Sequence, residues 1–166
     1  MPQQKTVQKA KEKLRQGRAA STAAGEFVRE ELEHIRQGKH GAKSTKQAIA
    51  IGLSKARRAG VPLPPPKSGA KAKTRQSAEQ ASAVGRGERK PRSPSPRRGR
   101  AASRALRREP KAAASPRALS AQAREAAEKR GPLARAAAAR KASRTKGATA
   151  RRSAARKAAA THTSRS

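Results

Sequence analysis

Large apolar side chains are concentrated in one short stretch of this chain. Nine of its fifteen Val, Ile, Leu and Phe residues lie in residues 25–66. The last hundred residues contain only Val84, Leu106, Leu119 and Leu133. Alanine, the main apolar residue elsewhere, buries little surface relative to the chain entropy lost on folding. The pattern therefore predicts one small folded module, residues 25–60, and no core elsewhere.

The first helix of this module is predicted over residues 26–37. Its apolar positions recur with the period of an α-helix and share one face. Those positions are Val28, Leu32 and Ile35, with Phe27 on the flank. Gly38 follows where a left-handed C-cap is expected, so the helix is predicted to stop there.

A second helix is predicted over residues 45–59. Ser44 and Gln47 have the spacing of a capping box, which marks the start of a helix. Gly60 has the position of a C-cap and Pro62 prevents continuation. The predicted fold class is a small all-α module, a two-helix hairpin of residues 26–37 and 45–59.

The second helix is apolar on two sides. Ile49 and Leu53 lie on one side, while Ile51 and Gly52 lie roughly opposite. Because the first helix can cover only one side, the other is a candidate partner contact, either for a homodimer or for the tail. The predicted module core is Phe27, Val28, Leu32, Ile35, Ile49 and Leu53.

The segments around the module are predicted to lack a fold of their own. Residues 1–24 are predicted to be a frayed basic arm, because Val7 and Leu14 are too few to hold a helix. The proline-rich segment 61–66 predicts an extended polyproline II spacer. Residues 67–166 predict a long, largely disordered basic tail.

Two parts of that tail contain strong helix formers. Residues 101–109 and 117–144 can become helical when phosphate neutralises their arginines. Ser-Pro-basic boxes at 93–98 and 115–117 resemble turns of linker-histone tails, in which a turn presents arginines to the minor groove.

The net charge of the chain is the feature that indicates its binding partner most clearly. It has 43 Lys or Arg, no Asp and 10 Glu, for a formal net charge of +33. Such a chain binds phosphate through counterion release, whatever the base sequence. With one Phe, no Trp and no Tyr, it is poorly suited to stacking on single-stranded bases. We therefore predict sequence-tolerant binding of duplex DNA, with structured RNA as the alternative.

The candidate phosphate contacts are basic residues in and just before the second helix and arginine clusters of the tail. They are Lys43, Lys46, Arg57, Arg58, Arg97, Arg98, Arg100, Arg107, Arg108, Arg151 and Arg152.

Acidic residues crowd the first helix of this basic protein. Four glutamates, Glu26, Glu30, Glu31 and Glu33, occupy its first two turns. Carboxylates repel phosphate, so this face either points away from nucleic acid or pairs with cations of the module. We expect the second arrangement.

Catalysis and cofactor binding are not predicted. His34 and His40 flank the predicted loop, but a metal site would need a third convergent ligand and a fixed loop. There is no Cys and no Asp, and no phosphate-binding loop or nucleophile motif occurs. We predict a non-enzymatic protein with no metal and no cofactor.

No membrane segment or secretory signal is predicted. No window approaches the length of apolar residues that crosses a bilayer, and the basic N-terminus has no apolar run. The expected location is the cytoplasm, associated with the nucleoid.

The box STKQAIAIGLSKARRAG at residues 44–60, preceded by GEFVREELEHIRQGKHGA, carries a resemblance. It is similar to an uncharacterised family of small basic bacterial proteins, some labelled plasmid stabilisation protein. The resemblance covers residues 24–66 and implies a bacterial setting but no functional residues. The tail is similar in kind to histone H1-like bacterial proteins.

The leading hypothesis is a DNA-binding protein of nucleoid- or plasmid-associated type, with a role in plasmid stabilisation. One alternative is an RNA- or ribosome-associated basic protein. Another is a protein-interaction adaptor acting through the helical module. A helix-turn-helix at 26–59 is a further alternative, although its glycine-rich connection is long.

Overall fold

The structure is a computed structural model that describes residues 2–66, 69–91, 95–145, 152–153 and 155–156. These residues include seven α-helices, α1 to α7, and one 3-10 helix, and they contain no strand. The helices are α1 (Gln4–Arg15), α2 (Ala20–Arg36), α3 (Thr45–Arg58), α4 (Ala72–Gly85), α5 (Pro96–Arg108), the 3-10 helix (Lys111–Ala114), α6 (Pro116–Lys129) and α7 (Gly131–Thr145). The chain divides into two units, Met1–Ser120 and Ala121–Ser166.

The predicted fold class, a two-helix hairpin with a disordered tail, is wrong. Helices continue through most of the described residues after 66, and part of the predicted tail lies inside the core. The physical reason is alanine. It has the highest helix propensity, and its small side chain lets helix backbones pack closely enough to bury a core made largely of methyl groups.

α2 and α3 form the centre of the first unit. α2 begins at Ala20, earlier than predicted, whereas α3 and its capping residues are close to the prediction. Ser44 Oγ accepts a hydrogen bond from the Gln47 amide at 3.2 Å. The side chain of Gln47 reaches back to the Lys43 amide at 2.8 Å, and together these bonds fix the start of α3.

The small residues of α3 face α2. Ala48, Gly52 and Ala56 are buried, and a Cβ added to Gly52 would lie 2.7 Å from the Val28 Cα atom. Gly52 therefore permits close packing within the same chain and is not the partner contact that we predicted. Ile51, its predicted companion, is half-buried.

α1 completes the first of two core clusters. Predicted as a frayed arm, it instead packs on α2 and buries Ala10 against Phe27. Of the predicted core, Phe27 and Ile35 are fully buried. The rest of that set is half-buried, namely Val28, Leu32, Ile49 and Leu53.

The 3-10 helix completes the second cluster. Ala113 and Ala114 pack with Ile35, Ala42 and Ala48, and Ala114 has no exposed surface. Thr45 Oγ1 donates to the Ala113 carbonyl at 2.7 Å. The side of the module that the first helix leaves uncovered was predicted to contact either a second copy of the chain or the tail. The 3-10 helix belongs to the predicted tail, so the contact with the tail is present.

The proline segment 61–66 does not separate the module from the chain that follows. It has no helix or strand, but Val61 is buried in the first cluster and α4 packs on α3. Gly85, at the end of α4, lies against the backbone of Arg57 and Gly60, with no room for a side chain. The segment lets the chain fold back.

The second unit, residues 121–166, contains the later part of α6 and all of α7. α7 begins at Gly131, whose φ of 72° favours glycine. Leu133 is 84% exposed. None of the helices in the described ranges has both the length and the hydropathy needed to cross a bilayer.

Candidate nucleic-acid interface

α5 starts at a Ser-Pro pair. Ser95 Oγ accepts a hydrogen bond from the Arg98 amide at 3.5 Å, and Pro96 occupies the first helical position, where its missing N–H costs nothing. The second Ser-Pro pair acts alike, since Ser115 Oγ accepts from the Ala118 amide at 3.2 Å. These pairs cap helices and do not form the histone-like turns that we predicted. Residues 93 and 94 of the first box lie outside the described residues.

Five arginines share one face of α5. At 100° per residue they fall within an arc of about 100°, and the helical rise spreads them over roughly 16 Å. They are Arg97, Arg100, Arg104, Arg107 and Arg108, and all are exposed. None forms an ion pair with another described residue. We call this set the arginine stripe; Arg98 lies outside its arc.

A shallow groove follows part of the stripe. Its open volume is about 690 Å³. The residues that line it are Pro96, Gly99, Arg100, Ser103, Arg104 and Arg107. Outside the stripe, α5 carries Pro96, Arg98 and small residues, and its one large apolar residue, Leu106, is half-buried. A basic helix without a broad apolar face is poorly suited to a lipid surface, so the stripe is better matched to a polyanion in water.

The chain after α2 anchors the C-terminal end of α5. The Gly41 amide donates to the Leu106 carbonyl at 2.8 Å, and the Ala42 amide donates to the Pro110 carbonyl at 3.1 Å. A Cβ at Gly41 would collide with the backbone of Glu109. Glycine is thus required where the loop 38–44 meets the end of α5, and the stripe is attached to the folded core.

The structure separates the other predicted phosphate contacts. Lys43 and Lys46 lie at the start of α3 and Arg58 at its end, about 20 Å apart along the helix. All three are exposed. Arg152 is exposed in the second unit, and Arg151 lies outside the described residues. Among the predicted contacts that the structure describes, Arg97, Arg100, Arg107 and Arg108 are the ones that share one face of a single helix.

Arg57 is engaged inside the fold. Its Nη2 donates to the Pro64 carbonyl at 3.1 Å, and its Nε is buried without a hydrogen-bond partner. Burial lowers the pKa of the guanidinium below its usual range. The side chain also lines a cavity of about 350 Å³ beside the proline segment. We therefore leave Arg57 out of the candidate interface.

Arg104 is the residue that the sequence prediction missed. It stands alone between small residues, so it does not belong to an arginine cluster along the chain. Its spacing of four from Arg100 and from Arg108 is the helical period. That signal has meaning only once residues 96–108 are assigned as a helix.

Two of the four glutamates of α2, Glu26 and Glu31, form ion pairs with cations, and the expected pairing within the module is present at Arg29 and Lys55. Glu26 forms ion pairs with Lys13 and, at 3.9 Å, with Arg29. The hydrogen bond from Lys13 lowers the pKa of Glu26. Glu31 is 1% exposed and its Oε2 contacts Lys55 Nζ at 2.5 Å. Glu26 and Glu31 are therefore compensated and withdrawn from the surface, whereas Glu33 is exposed.

The half-buried His34 should make stability depend on pH. Burial, then the charges of Lys39 and Lys55, lower its pKa, against the opposing effect of Glu30 and Glu31. The unfolded chain takes up this proton as pH falls through about 6.5, while the folded chain resists it. Stability should therefore fall between about pH 7.5 and about pH 5.5.

Urea denaturation across that range measures the effect. His34→Gln should flatten the dependence, whereas His162→Gln, at the chain's third histidine, should leave it unchanged. An equally steep dependence in His34→Gln would assign it to another group.

Comparison with known proteins places part of the chain in context. Residues 2–68 match the model of a family of unknown function (DUF6496). No curated protein and no solved structure matches the chain. The matched residues contain α1, α2 and α3 and end before α4, so this similarity covers the first core cluster but neither the 3-10 helix nor the arginine stripe.

Proposed function

We propose that this protein is a non-enzymatic DNA-binding protein that contacts duplex phosphates with little sequence preference. The observation that supports this most is the arginine stripe of α5. The setting that we propose is the nucleoid or a plasmid, which fits the resemblance to proteins labelled plasmid stabilisation protein.

The stripe suits phosphate for geometric reasons. Guanidinium groups bind phosphate oxygens through two parallel hydrogen bonds. Five of them over roughly 16 Å meet a DNA duplex that carries one charge per 1.7 Å or so of its axis. A helix of this width also fits the major groove, which is about 12 Å wide. Contacts to phosphate position a protein but do not specify sequence.

Burial of the aromatic side chain favours duplex over single-stranded nucleic acid. Phe27, the one aromatic residue among Phe, Tyr and Trp in this chain, is fully buried. Binding of single strands gains much of its free energy from bases stacked on exposed aromatic rings. This protein offers no such ring, so its affinity for nucleic acid should follow phosphate density.

The arrangement of acidic residues supports the same proposal. Glu26, Glu30 and Glu31 are buried on α2, and Glu26 and Glu31 form ion pairs with Lys13 and Lys55. The exposed surface consequently keeps most of the excess positive charge, which attracts polyanions and speeds encounter.

Salt titration of the untagged full-length chain tests this proposal. With about 6–10 phosphates engaged, a log–log plot of affinity against salt should have a slope of about −5 to −9 on duplex DNA. A duplex should bind more tightly than a single strand of the same length. Affinity independent of salt would overturn the proposal, and tighter binding to double-stranded RNA would favour the ribosome-associated alternative.

A further inference from the structure

A buried cluster of metal-ligating side chains lies away from the arginine stripe. Glu31 and His34 come from α2, and His40 comes from the loop after it. One ligand atom from each lies within 4.8 Å of the other two. Glu31 is 1% exposed and the two histidine side chains are 14% and 19% exposed.

The loop that carries His40 is held in place. Its neighbours Gly41 and Ala42 donate to the Leu106 and Pro110 carbonyls at 2.8 and 3.1 Å. The Glu31 Oε1 and His40 Nε2 atoms are 3.4 Å apart. Two ligands on a tetrahedral zinc ion are about 3.4 Å apart when each bond is roughly 2.0–2.1 Å. The third ligand and the fixed loop, which the sequence did not reveal, are both present.

Hydrogen bonding favours the tautomer of His40 that a metal needs. His40 Nδ1 lies 3.1 Å from the Gly41 carbonyl oxygen. When Nδ1–H donates to that oxygen, Nε2 presents its lone pair on the side of Glu31. A backbone carbonyl behind the ligating imidazole is a common arrangement around zinc.

Glu30 supplies an independent observation that points to a cation. Its side chain is 5% exposed, and its Oε1 lies 3.8 Å from His34 Nε2. Its Oε2 is buried and has no hydrogen-bond partner among the described residues. A buried carboxylate oxygen without a partner is costly. A metal ion beside His34 would compensate that charge.

We propose that Glu31, His34 and His40 bind one zinc ion, with Glu30 beside them as a fourth ligand or a charge partner. Two imidazole nitrogens and carboxylate oxygens are ligands that zinc accepts in proteins. Two side chains compete with a metal here. The Lys55 ammonium contacts Glu31 Oε2, and Gln3 Nε2 lies 3.4 Å from His34 Nε2. Because His40 lies on the loop bonded to residues 106–110, zinc binding should also strengthen the attachment of α5. The site shares no residue with the proposed DNA contacts.

Zinc titration of the untagged, chelator-treated full-length chain tests the proposal. We expect one equivalent of Zn²⁺ to bind, and Co²⁺ in its place to give the visible absorption of a tetrahedral site. His40→Ala and His34→Ala should each weaken binding about 100-fold or more, beyond the tenfold to 100-fold effect typical of groups behind the ligands. His162→Ala is the matched control and should bind as the parent chain does.

Lys55→Gln distinguishes a role of Glu31 as a zinc ligand from a purely structural role. Removal of the ammonium frees Glu31 Oε2 and should raise the affinity for zinc, whereas loss of a ligand lowers it. Far-UV circular dichroism of each variant establishes that the helices persist. The proposal is overturned if the parent chain binds no stoichiometric zinc, or if folded His40→Ala and His34→Ala both retain the parent affinity.

Discussion

Ala114→Arg is expected to lower the free energy of unfolding by about 3 kcal/mol or more, as burial of a charge without a partner does. Ala114 has no exposed surface and packs against Ile35 and Ala48. Its carbonyl accepts a hydrogen bond from Arg36 Nε at 3.0 Å, so a cation is already close by. A second guanidinium there would be repelled and cannot lose its proton.

Ala112→Arg is the matched control. Ala112 belongs to the same 3-10 helix and is exposed. Both variants add one positive charge, so they change the attraction to polyanions equally. Urea denaturation should show a large loss for Ala114→Arg and a change within about 0.5 kcal/mol for Ala112→Arg.

Hydrogen exchange locates the effect. The amides of Gly41 and Ala42 donate to the segment that leads into the 3-10 helix. They should lose protection in Ala114→Arg and keep it in Ala112→Arg. Equal stability of the two variants would mean that the 3-10 helix does not belong to the core.

The sequence predicted local structure correctly where one or two residues decide it, as at the ends of helices. Ser44 and Gln47 begin α3 as predicted, and Gly38 and Gly60 adopt φ of 74° and 85° after their helices. The pairing of Glu31 with Lys55, a cation of the module, also followed from the sequence. The pairing of Glu26 with Lys13 did not, because Lys13 was assigned to the frayed arm.

The core could not be predicted because its main component carries little signal. Ten of the thirteen buried apolar residues in the described ranges are alanines. A buried alanine such as Ala113 and an exposed one such as Ala112 look identical in a sequence rich in alanine. Their burial depends on close helix packing, as at Gly52 against Val28. A search for large apolar side chains therefore located α2 and α3 but missed α1, α4 and the 3-10 helix.

The candidate interface was partly predictable for a similar reason. Arginine clusters are visible along the chain, so four members of the stripe were identified. Arg104 became visible only through the helical period of α5. Arg57 carries the same charge but is half-buried against the proline segment. Composition predicted phosphate as the ligand, while secondary structure and burial decide which cations can reach it.

Replacing all five arginines of the stripe by glutamine is expected to remove about 4 to 5 from the magnitude of the salt slope on duplex DNA. Affinity at about 0.1 M salt should fall at least 100-fold or so. The substituted residues are Arg97, Arg100, Arg104, Arg107 and Arg108. Because they are exposed and form no described ion pair, the fold should be retained, which circular dichroism can establish.

A control variant that loses the same charge elsewhere distinguishes DNA binding at the arginine stripe from general attraction to the positively charged chain. Five exposed cations in and just after α1 can be replaced by glutamine as well. They are Lys5, Lys9, Lys11, Arg15 and Arg18. This control should retain most of the parent slope if the stripe is the main contact. Equal losses in the two variants would mean that DNA is bound by the net charge of the whole chain.

Replacing the same five stripe residues by lysine tests how they bind. Lysine keeps the charge but loses the planar fork of the guanidinium. The salt slope should therefore stay near that of the parent chain, while affinity at fixed salt falls by less than in the glutamine variant. A slope as shallow as that of the glutamine variant would show that retained charge on α5 is not enough to engage the phosphates. The stripe would then depend on two-point contacts that only arginine makes.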